Sequence, residues 1–541
     1  MKFSSVLALL MTFLLRACTQ PVPAGTGEEE NGLSRGDRTY APENIRVLLD
    51  RQQKAAFSYF FDGADPKTGM ALEGNGREYT LTTGGSGFGV MALVAGMERG
   101  WITREQGVDR IRRIVDFLSL ADRYRGAWSH WYNPDGSYVP FGNQEATGDL
   151  VETSFMIQGL LVAYEYLNAE APDEQKIREA IDSLCDALEW SSYTGDDDAL
   201  YWLWYSREDR HSLKIQGWNE ALCTYLLALG ARKHSITPET YRNGWNVPVF
   251  PGRTVNGYPF PLGREEKGGP LFFSQYSFLG FDPRHMADAN AWYWRQNLSH
   301  AMLNRHYCLY EAPQEYAYGP GLWGLTACYG AGSRPNYSAR SPYGDDGVLA
   351  PTAALSSFPY TPFYSAQVLV SLDALGSLCA GEFGFADAYR PSERVAEKRH
   401  LAIDQGPVVV MMENYRSGLI WKLFMKNERV QHALERAGIG EPELGEGFPY
   451  VAADSRTGLV DLMAHPDRGV FELDFYSSAA GEARFEWLNG GGSKVREQSM
   501  RVVSGVSRLS FDDARLVRGE AYMLVLTLPS GTQCRLNIHI H

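Results

Sequence analysis

Four carboxylates stand where long apolar runs begin. Asp149 and Glu152 lie in Ala146-Thr147-Gly148-Asp149-Leu150-Val151-Glu152-Thr153, Glu220 in Ile215-Gln216-Gly217-Trp218-Asn219-Glu220-Ala221, and Asp404 in Leu401-Ala402-Ile403-Asp404-Gln405-Gly406-Pro407. Acids placed at the mouths of buried helices can divide proton transfer between a donor and an acceptor. Each also has a plainer reading. Asp149 followed three residues later by Glu152 is a capping box ahead of a helix. Glu220 follows Asn219, itself a good N-cap, so capping does not require a carboxylate there. Burial beside Trp218 would raise its pKa, while a helix N-terminus would lower it. Asp404 precedes Gly406-Pro407, where Pro suits a first helical turn, so capping and catalysis fit it equally.

Aromatic residues crowd the segments before these runs. Trp128, Trp131, Tyr132, Tyr138 and Phe141 precede Asp149, and Tyr201, Trp202, Trp204 and Tyr205 precede Glu220. Tyr318 with Trp323, then Phe358 with Tyr360, repeat the theme. Ring faces among Asp, Asn, Gln and Arg suit a sugar, which offers an apolar C–H face and a hydroxyl rim. Trp131, Tyr132, Trp204, Trp218, Trp323 and Tyr360 are therefore the candidate substrate contacts, each with core packing as its alternative.

Helices must position these groups. Residues 43–440 alternate half-polar helices with more apolar ones opened by Gly-rich loops. The apolar set is expected at Ser86–Arg99, Leu150–Leu167, Trp218–Gly230, Leu322–Gly330, Pro362–Leu378 and Gly406–Phe424, with Leu271–Leu279 as a further candidate. Their partners are expected at Glu43–Phe61, Arg104–Leu120, Pro172–Trp190 and Pro283–Arg305. Apolar-all-round helices alternating with half-polar ones imply an inner layer and an outer one. Six or seven such hairpins in a ring make a mainly α, double-layered α/α toroid, here assigned residues 43–455; an open stack fits the same local pattern. The long aromatic loops favour the ring, because they would converge at one end. The Gly-rich Thr83–Gly89 reads as close helix packing at that end.

From about Gly458 the pattern becomes short alternating runs: Phe471–Tyr476, Ala483–Leu488, Met500–Val503, Arg508–Phe511, Tyr522–Leu528 and Arg535–His541. These predict a small accessory all-β sandwich over 456–541. His539 and His541 share a face of the last run, without a third ligand nearby for a metal.

Composition narrows the partners. A formal charge of −14 in 541 residues gives nucleic acid no counterion-release advantage and argues against polyanionic substrates. No HExxH, Walker loop, GxGxxG after a strand or GxSxG elbow occurs, and no cofactor or metal is expected. Asp196-Asp197-Asp198 and Asp345-Asp346 read as solvated turns, with calcium as the alternative. Residues 1–18 read as an export signal in which Leu15-Arg16-Ala17-Cys18 resembles a bacterial lipoprotein processing box. Cys18 would then carry the lipid, residues 19–42 would be a tether, and the chain would be an exported cell-envelope lipoprotein, peripheral to the membrane and monomeric. The six other cysteines lack paired spacing and read as buried thiols.

At TGDLVETSFMIQGLL, IQGWNEAL, PGLWGLTACYG, FPYTPFYSA and AIDQGPVVVMMENYRSGLIWKLF, over about residues 43–440, the chain resembles the bacterial glycoamylase-like domain family, and within it the endo-β-1,2-glucanases. The resemblance implies an (α/α)6 barrel that hydrolyses β-1,2-glucan with inversion. It implies Glu220 in GWNEA as general acid, Asp404 in AIDQGP on the base side, and Asp149 and Glu152 in TGDLVE as cleft residues. Two rival readings remain at this stage. One is a helical lipoprotein that binds glycan without cleaving it. The other is a toroidal lyase using Tyr132 and His130, which the acidic charge disfavours.

Overall fold

Local chemistry sets the helix boundaries in the computed structural model, which describes residues 42–76, 79–141, 146–245, 248–445, 460–461, 463–465, 470–512, 516 and 520–539. These belong to the second of two units, residues 40–541; the first, residues 1–39, where the export signal, the lipidated Cys18 and most of the tether are expected, lies outside the described residues. The helices are α1 Pro42–Phe61, α2 Thr83–Glu98, α3 Arg104–Leu120, α4 Leu150–Tyr166, α5 Pro172–Asp186, α6 Leu222–Gly230 and α7 Pro238–Gly244. They continue as α8 Tyr293–Tyr310, α9 Pro351–Leu355, α10 Pro362–Ala374, α11 Ala402–Arg416, α12 Leu419–Met425 and α13 Glu428–Ala437. Thr103 and Gln106 form a reciprocal capping box at α3, and Pro172 occupies the first turn of α5, where its missing N–H costs nothing.

Two kinds of helix result. Every residue of α2 from Thr83 to Met97 is buried, as are α4 from Leu150 to Ala163 and all of α6. By contrast α5 buries only Ile177, Ile181, Leu184 and Cys185, a single stripe at i, i+4, i+7. Helix α13 likewise buries Arg429, Val430, Ala433 and Leu434 against α6. The expected inner and outer layers are therefore present in the burial itself. Glycines bring the inner helices into backbone contact: a Cβ on Gly87 would lie 2.3 Å from the Phe155 carbonyl oxygen, and one on Gly159 would lie 2.1 Å from that of Gly87. The Gly-rich start of α2 is thus a packing surface for α4, as expected. Helix α11 lies against both α2 and α1.

Four expected helices are different. Pro283–Arg305 is a 3₁₀ turn, Pro283–His285, followed by α8 from Tyr293, which is buried along most of its length instead of half-polar. Leu322–Gly330 is irregular, because Gly324 has φ +122° and the Asn304 side chain binds both the N–H and the C=O of Leu325 in place of helical partners. Leu271–Leu279 keeps only a 3₁₀ turn, Leu271–Ser274. Its remaining backbone is held by side chains: Gln158 Nε2 donates to the Tyr276 carbonyl, Asn414 Nδ2 to that of Leu279 and Trp421 Nε1 to that of Phe278. Gly406–Phe424 is broken into α11 and α12 at Gly418, whose φ of +68° is left-handed.

Small sheets form the segments that enter α2 and α4. Leu81–Thr82 pairs with Trp131–Tyr132, which pairs with Tyr138–Val139; Ala146–Asp149 pairs with Tyr201–Tyr205, which pairs with Arg210–Lys214. The aromatic loops are therefore β-ribbons fixed at the helix mouths.

The C-terminal strands form two sheets. Val470–Ser477 runs between Met463–His465 and Gly505–Asp512, while Gly481–Leu488 runs between Lys494–Val502 and Ala521–Thr527, the latter followed by Gln533–His539. Phe475 meets Phe485 at 5.3 Å and Trp487 meets Phe511 at 4.7 Å between ring centroids, so one core joins the sheets. Phe363 of α10 packs on both this core and the helical one. The expected boundary at 455/456 lies outside the described residues.

Candidate active site

Asp149 is both cap and clamp. Its Oδ1 accepts the N–H groups of Val151 and Glu152 at 3.1 and 2.9 Å, capping α4, while its Oδ2 meets His130 Nδ1 at 2.7 Å. Glu152 does not return the bond to the Asp149 N–H that a full capping box needs. Its Oε2 accepts the Gly84 N–H of α2 at 2.8 Å. Burial, opposed by the His130 charge and reinforced by Asp149 and Glu73, pushes the Glu152 carboxyl up to about 7. For His130, burial favours the neutral ring, but Glu152 and the bond to Asp149 outweigh it and raise the imidazole to about 9. The ring is a cation at neutral pH.

Glu220 lies just ahead of α6. The Asn219 side chain receives the Ala221 N–H at 2.9 Å, which leaves the Glu220 carboxyl free of a capping task. Its main-chain carbonyl is held by the Ser277 hydroxyl. Burial is the chief cause that raises this carboxyl to about 7; a backbone hydrogen bond opposes it and the charge of Asp149 adds to it. The contest posed by the sequence is thus resolved towards desolvation.

Asp404 occupies the first turn of α11, where Leu401 is the N-cap, so it does no capping. Only 3% of it is exposed, and its Oδ2 has no donor among the described residues. Burial first, then the neighbouring Asp387 and Glu73, raise it well above the ordinary carboxylate range. Between these groups stands Tyr276, buried, its ring stacked on Phe272 and flanked by Phe88 and Phe155. Its hydroxyl has no partner among the described residues, and its proton is held by burial and by the charges of Asp404, Glu220 and Glu152. Carboxylates from α4, α6 and α11 therefore act on one buried phenol. Glu73, Asp387 and Tyr276 were not singled out from the sequence. Asp387 sits in Phe385-Ala386-Asp387-Ala388 outside any helix opening, and Tyr276 lies in a run expected to be helical.

The aromatic candidates divide. Trp131 is half-buried against His130 and Phe141, Trp204 stacks on Tyr124, and Trp218 lines a hollow of about 510 Å³ with Gln216, Arg264, Glu265 and Phe273. The indole N–H of each is buried and has no acceptor among the described residues, as is also true of Trp323. Tyr132, Trp323 and Tyr360 instead belong to the core. Tyr132 donates to the Asp122 carbonyl and accepts the Ser129 N–H, Tyr360 donates to the Ser274 carbonyl and accepts from Asn297, and Trp323 is 1% exposed. A phenol so committed gives Tyr132 no place as a lyase base. Asp197 pairs with Lys214 at 2.8 Å, Asp345 accepts from Tyr307 and Tyr318, and Asp346 accepts from Arg340. Cys185, Cys223, Cys308, Cys328 and Cys379 are buried thiols. The side chains of His539 and His541 lie outside the described residues.

Comparison with known proteins follows this geometry. The Glycoamylase family model, described as "Putative glucoamylase", matches residues 212–428. An exo-β-1,2-glucooligosaccharide sophorohydrolase (non-reducing end) of Parabacteroides distasonis is 40% identical over 435 residues, covering 75% of this chain and 60% of that protein. The chain thus matches about 60% of the length of that curated relative. The solved endo-β-1,2-glucanase of Chitinophaga pinensis, in complex with sophorotriose and glucose, is 42% identical with a TM-score of 0.69, over 74% of this chain and 99% of its own. The β-1,2-glucanase structure from Parabacteroides distasonis is 40% identical, also with a TM-score of 0.69, over 73% of this chain and 60% of its own. With that identity sustained over nearly the whole of a solved relative, the chain belongs to the glycoamylase-like family.

Proposed function

We propose that this chain is a glycoside hydrolase that cleaves β-1,2-glucan or its oligosaccharides by an inverting, two-carboxylate route. The observation that carries the reading is the Glu220 carboxyl, half-buried just ahead of α6 and raised to about 7, with Asp404 acting on the same phenol of Tyr276. An acid of that strength is still partly protonated at neutral pH and donates to the glycosidic oxygen as the C–O bond breaks. Asp404 takes a proton from the water that attacks the anomeric carbon on the opposite face. The water oxygen bonds to that carbon, the aglycone leaves as an alcohol, and the configuration inverts. Asp149 keeps Glu220 protonated through its negative charge, and His130 holds Asp149 in place. Trp131, Trp204 and Trp218 offer ring faces to the sugar. The names of the relatives, all β-1,2-glucan hydrolases, support the linkage.

In the same reading the nested helices of residues 43–455 are an (α/α)6 toroid and residues 456–541 an accessory sandwich. The chain is an exported, monomeric envelope lipoprotein anchored through Cys18, a part supported by the sequence Leu15-Arg16-Ala17-Cys18 and tested by palmitate labelling of wild type and Cys18→Ala.

The test of the reaction is product profiling on linear β-1,2-, β-1,3-, β-1,4- and α-glucans, with NMR of the anomer first released. Reducing ends from β-1,2-glucan in the α configuration are expected. A β anomer overturns inversion, and binding of β-1,2-glucan without new reducing ends favours glycan capture.

A further inference from the structure

Asp387 ends the turn before the strand Ala388–Arg390 and is completely buried. Its Oδ2 accepts the Tyr329 N–H at 2.7 Å. Its Oδ1 receives no donor from any other described residue, and the same holds for Asp404 Oδ2. The two buried carboxyls are neighbours, each with one oxygen that no donor among the described residues reaches. Two ionised carboxylates hold only acceptors, so such a contact requires a proton between them.

The surroundings do not supply a cation that would make the proton unnecessary. Asp387 faces Arg340, Glu397 and Arg399, but Arg340 is committed to Asp346 at 2.7 Å and Arg399 to Glu397 at 2.9 Å. Asp404 faces Glu73, the phenols of Tyr59, Tyr276 and Tyr337, and the Cys328 thiol, all neutral or negative. A second negative charge would be unscreened there.

Building on the hydrolytic reading, we propose that Asp387 is the positioning residue of Asp404: the two share one proton through Asp387 Oδ1 and Asp404 Oδ2. With the proton on Asp387, Asp404 stays ionised, is held by one oxygen and keeps the other for water. During turnover Asp404 gains the water proton while Glu220 gives its own to the leaving group. The pair then releases one proton to solvent, Glu220 takes one up, and the starting state is restored without net change.

Infrared difference spectra of the full chain test this without relying on activity. At about pH 8 most of the Glu152 and Glu220 population is ionised, so the pair contributes a neutral-carboxyl C=O band. Wild type minus Asp387→Asn and wild type minus Asp404→Asn are each expected to show that band lost, because either partner alone ionises. If either variant keeps the wild-type absorption, the proton is not shared and the proposal falls. Kinetics give a second reading. Asn retains an N–H donor towards Asp404 and Ala does not, so kcat of Asp387→Asn is expected within about tenfold of wild type and that of Asp387→Ala at least about a hundredfold below it, with KM moved less than about threefold. Equal losses in both variants overturn the donor role. A wild-type protein inactive on every glucan defeats the hydrolytic reading and leaves the infrared result to decide the shared proton.

Discussion

Glu152 of α4 and Gly84 of α2 are joined by a 2.8 Å hydrogen bond from the Gly84 N–H to Glu152 Oε2, so the two mouths of adjacent inner helices are a single unit. A Cβ at Gly84 would lie 2.3 Å from that oxygen and 2.9 Å from the Phe155 ring. Gly84→Ala must therefore expel the carboxylate from its place beside His130. We expect kcat/KM on β-1,2-glucan to fall at least about tenfold, with a stability loss of about 1–3 kcal/mol in urea titrations. Stability lost with activity unchanged would detach Glu152 from the site.

Glu220→Gln is expected to lower kcat at least about a hundredfold, because the amide has no acidic proton to give. The variant also tests the stability sign. The folded carboxyl value of about 7 lies above the ordinary 4.5, so the native state holds the proton more tightly than the unfolded chain. Stability from this group is complete below about pH 4.5 and declines as pH rises through about 7. At about pH 8 the Gln variant should be more stable than wild type, by about 1–3 kcal/mol, and the difference should vanish near pH 4. Thermal unfolding at the two pH values reads it. An activity loss without that crossover would mean Glu220 is ionised in the resting protein.

Much of this arrangement was legible in the sequence, and the illegible part has a physical pattern. Helices whose burial is set by local periodicity, α1, α3 and α5, fall where the 3.6-residue spacing places them to within a few residues. So do the strands of the sandwich, where alternation is local too. Segments 271–279 and 322–330 were read as helices because their composition is apolar. In the structure their backbone groups are satisfied by Gln158, Asn304, Asn414 and Trp421, side chains from remote parts of the chain that no window of sequence can contain. The acids at helix openings could be singled out because an opening has a signature. Asp387 and Glu73 could not, since each becomes notable only through Asp404, reached by folding. Trp323, Tyr132 and Tyr360 show the converse: a ring suited to sugar stacking is equally suited to a core.

His130 makes stability fall at the alkaline end. Its folded value of about 9 exceeds the ordinary 6.5, so its contribution is complete below about pH 6.5 and is lost as pH rises through about 9. Chemical denaturation between about pH 8 and 10, above the range in which Glu152 and Glu220 titrate, should show a decline of about 1–2 kcal/mol in wild type that is absent in His130→Gln. Because the His130 charge also steadies Asp149, the same variant should lose activity at pH 7. A parallel decline in both proteins would assign the alkaline loss to other groups.

Gly159 tests whether the inner helices need their close approach. Its missing Cβ leaves room for the Gly87 carbonyl, 2.1 Å from where that carbon would stand, and helix backbone cannot swing aside as a side chain can. Ala at 159 should force α2 and α4 apart, at a cost of at least about 2 kcal/mol. The displacement would carry Gly84 and Glu152 with it, so activity should fall at a temperature where the variant is still fully folded. Gly440 supplies the control. It has nothing within 4 Å of its Cβ position, and Gly440→Ala should change stability by less than about 0.5 kcal/mol. Equal effects at the two positions would mean that the loss does not come from the spacing of α2 from α4. A loss confined to Gly159→Ala would tie the close approach of α2 and α4 to the geometry of the carboxylates at their mouths.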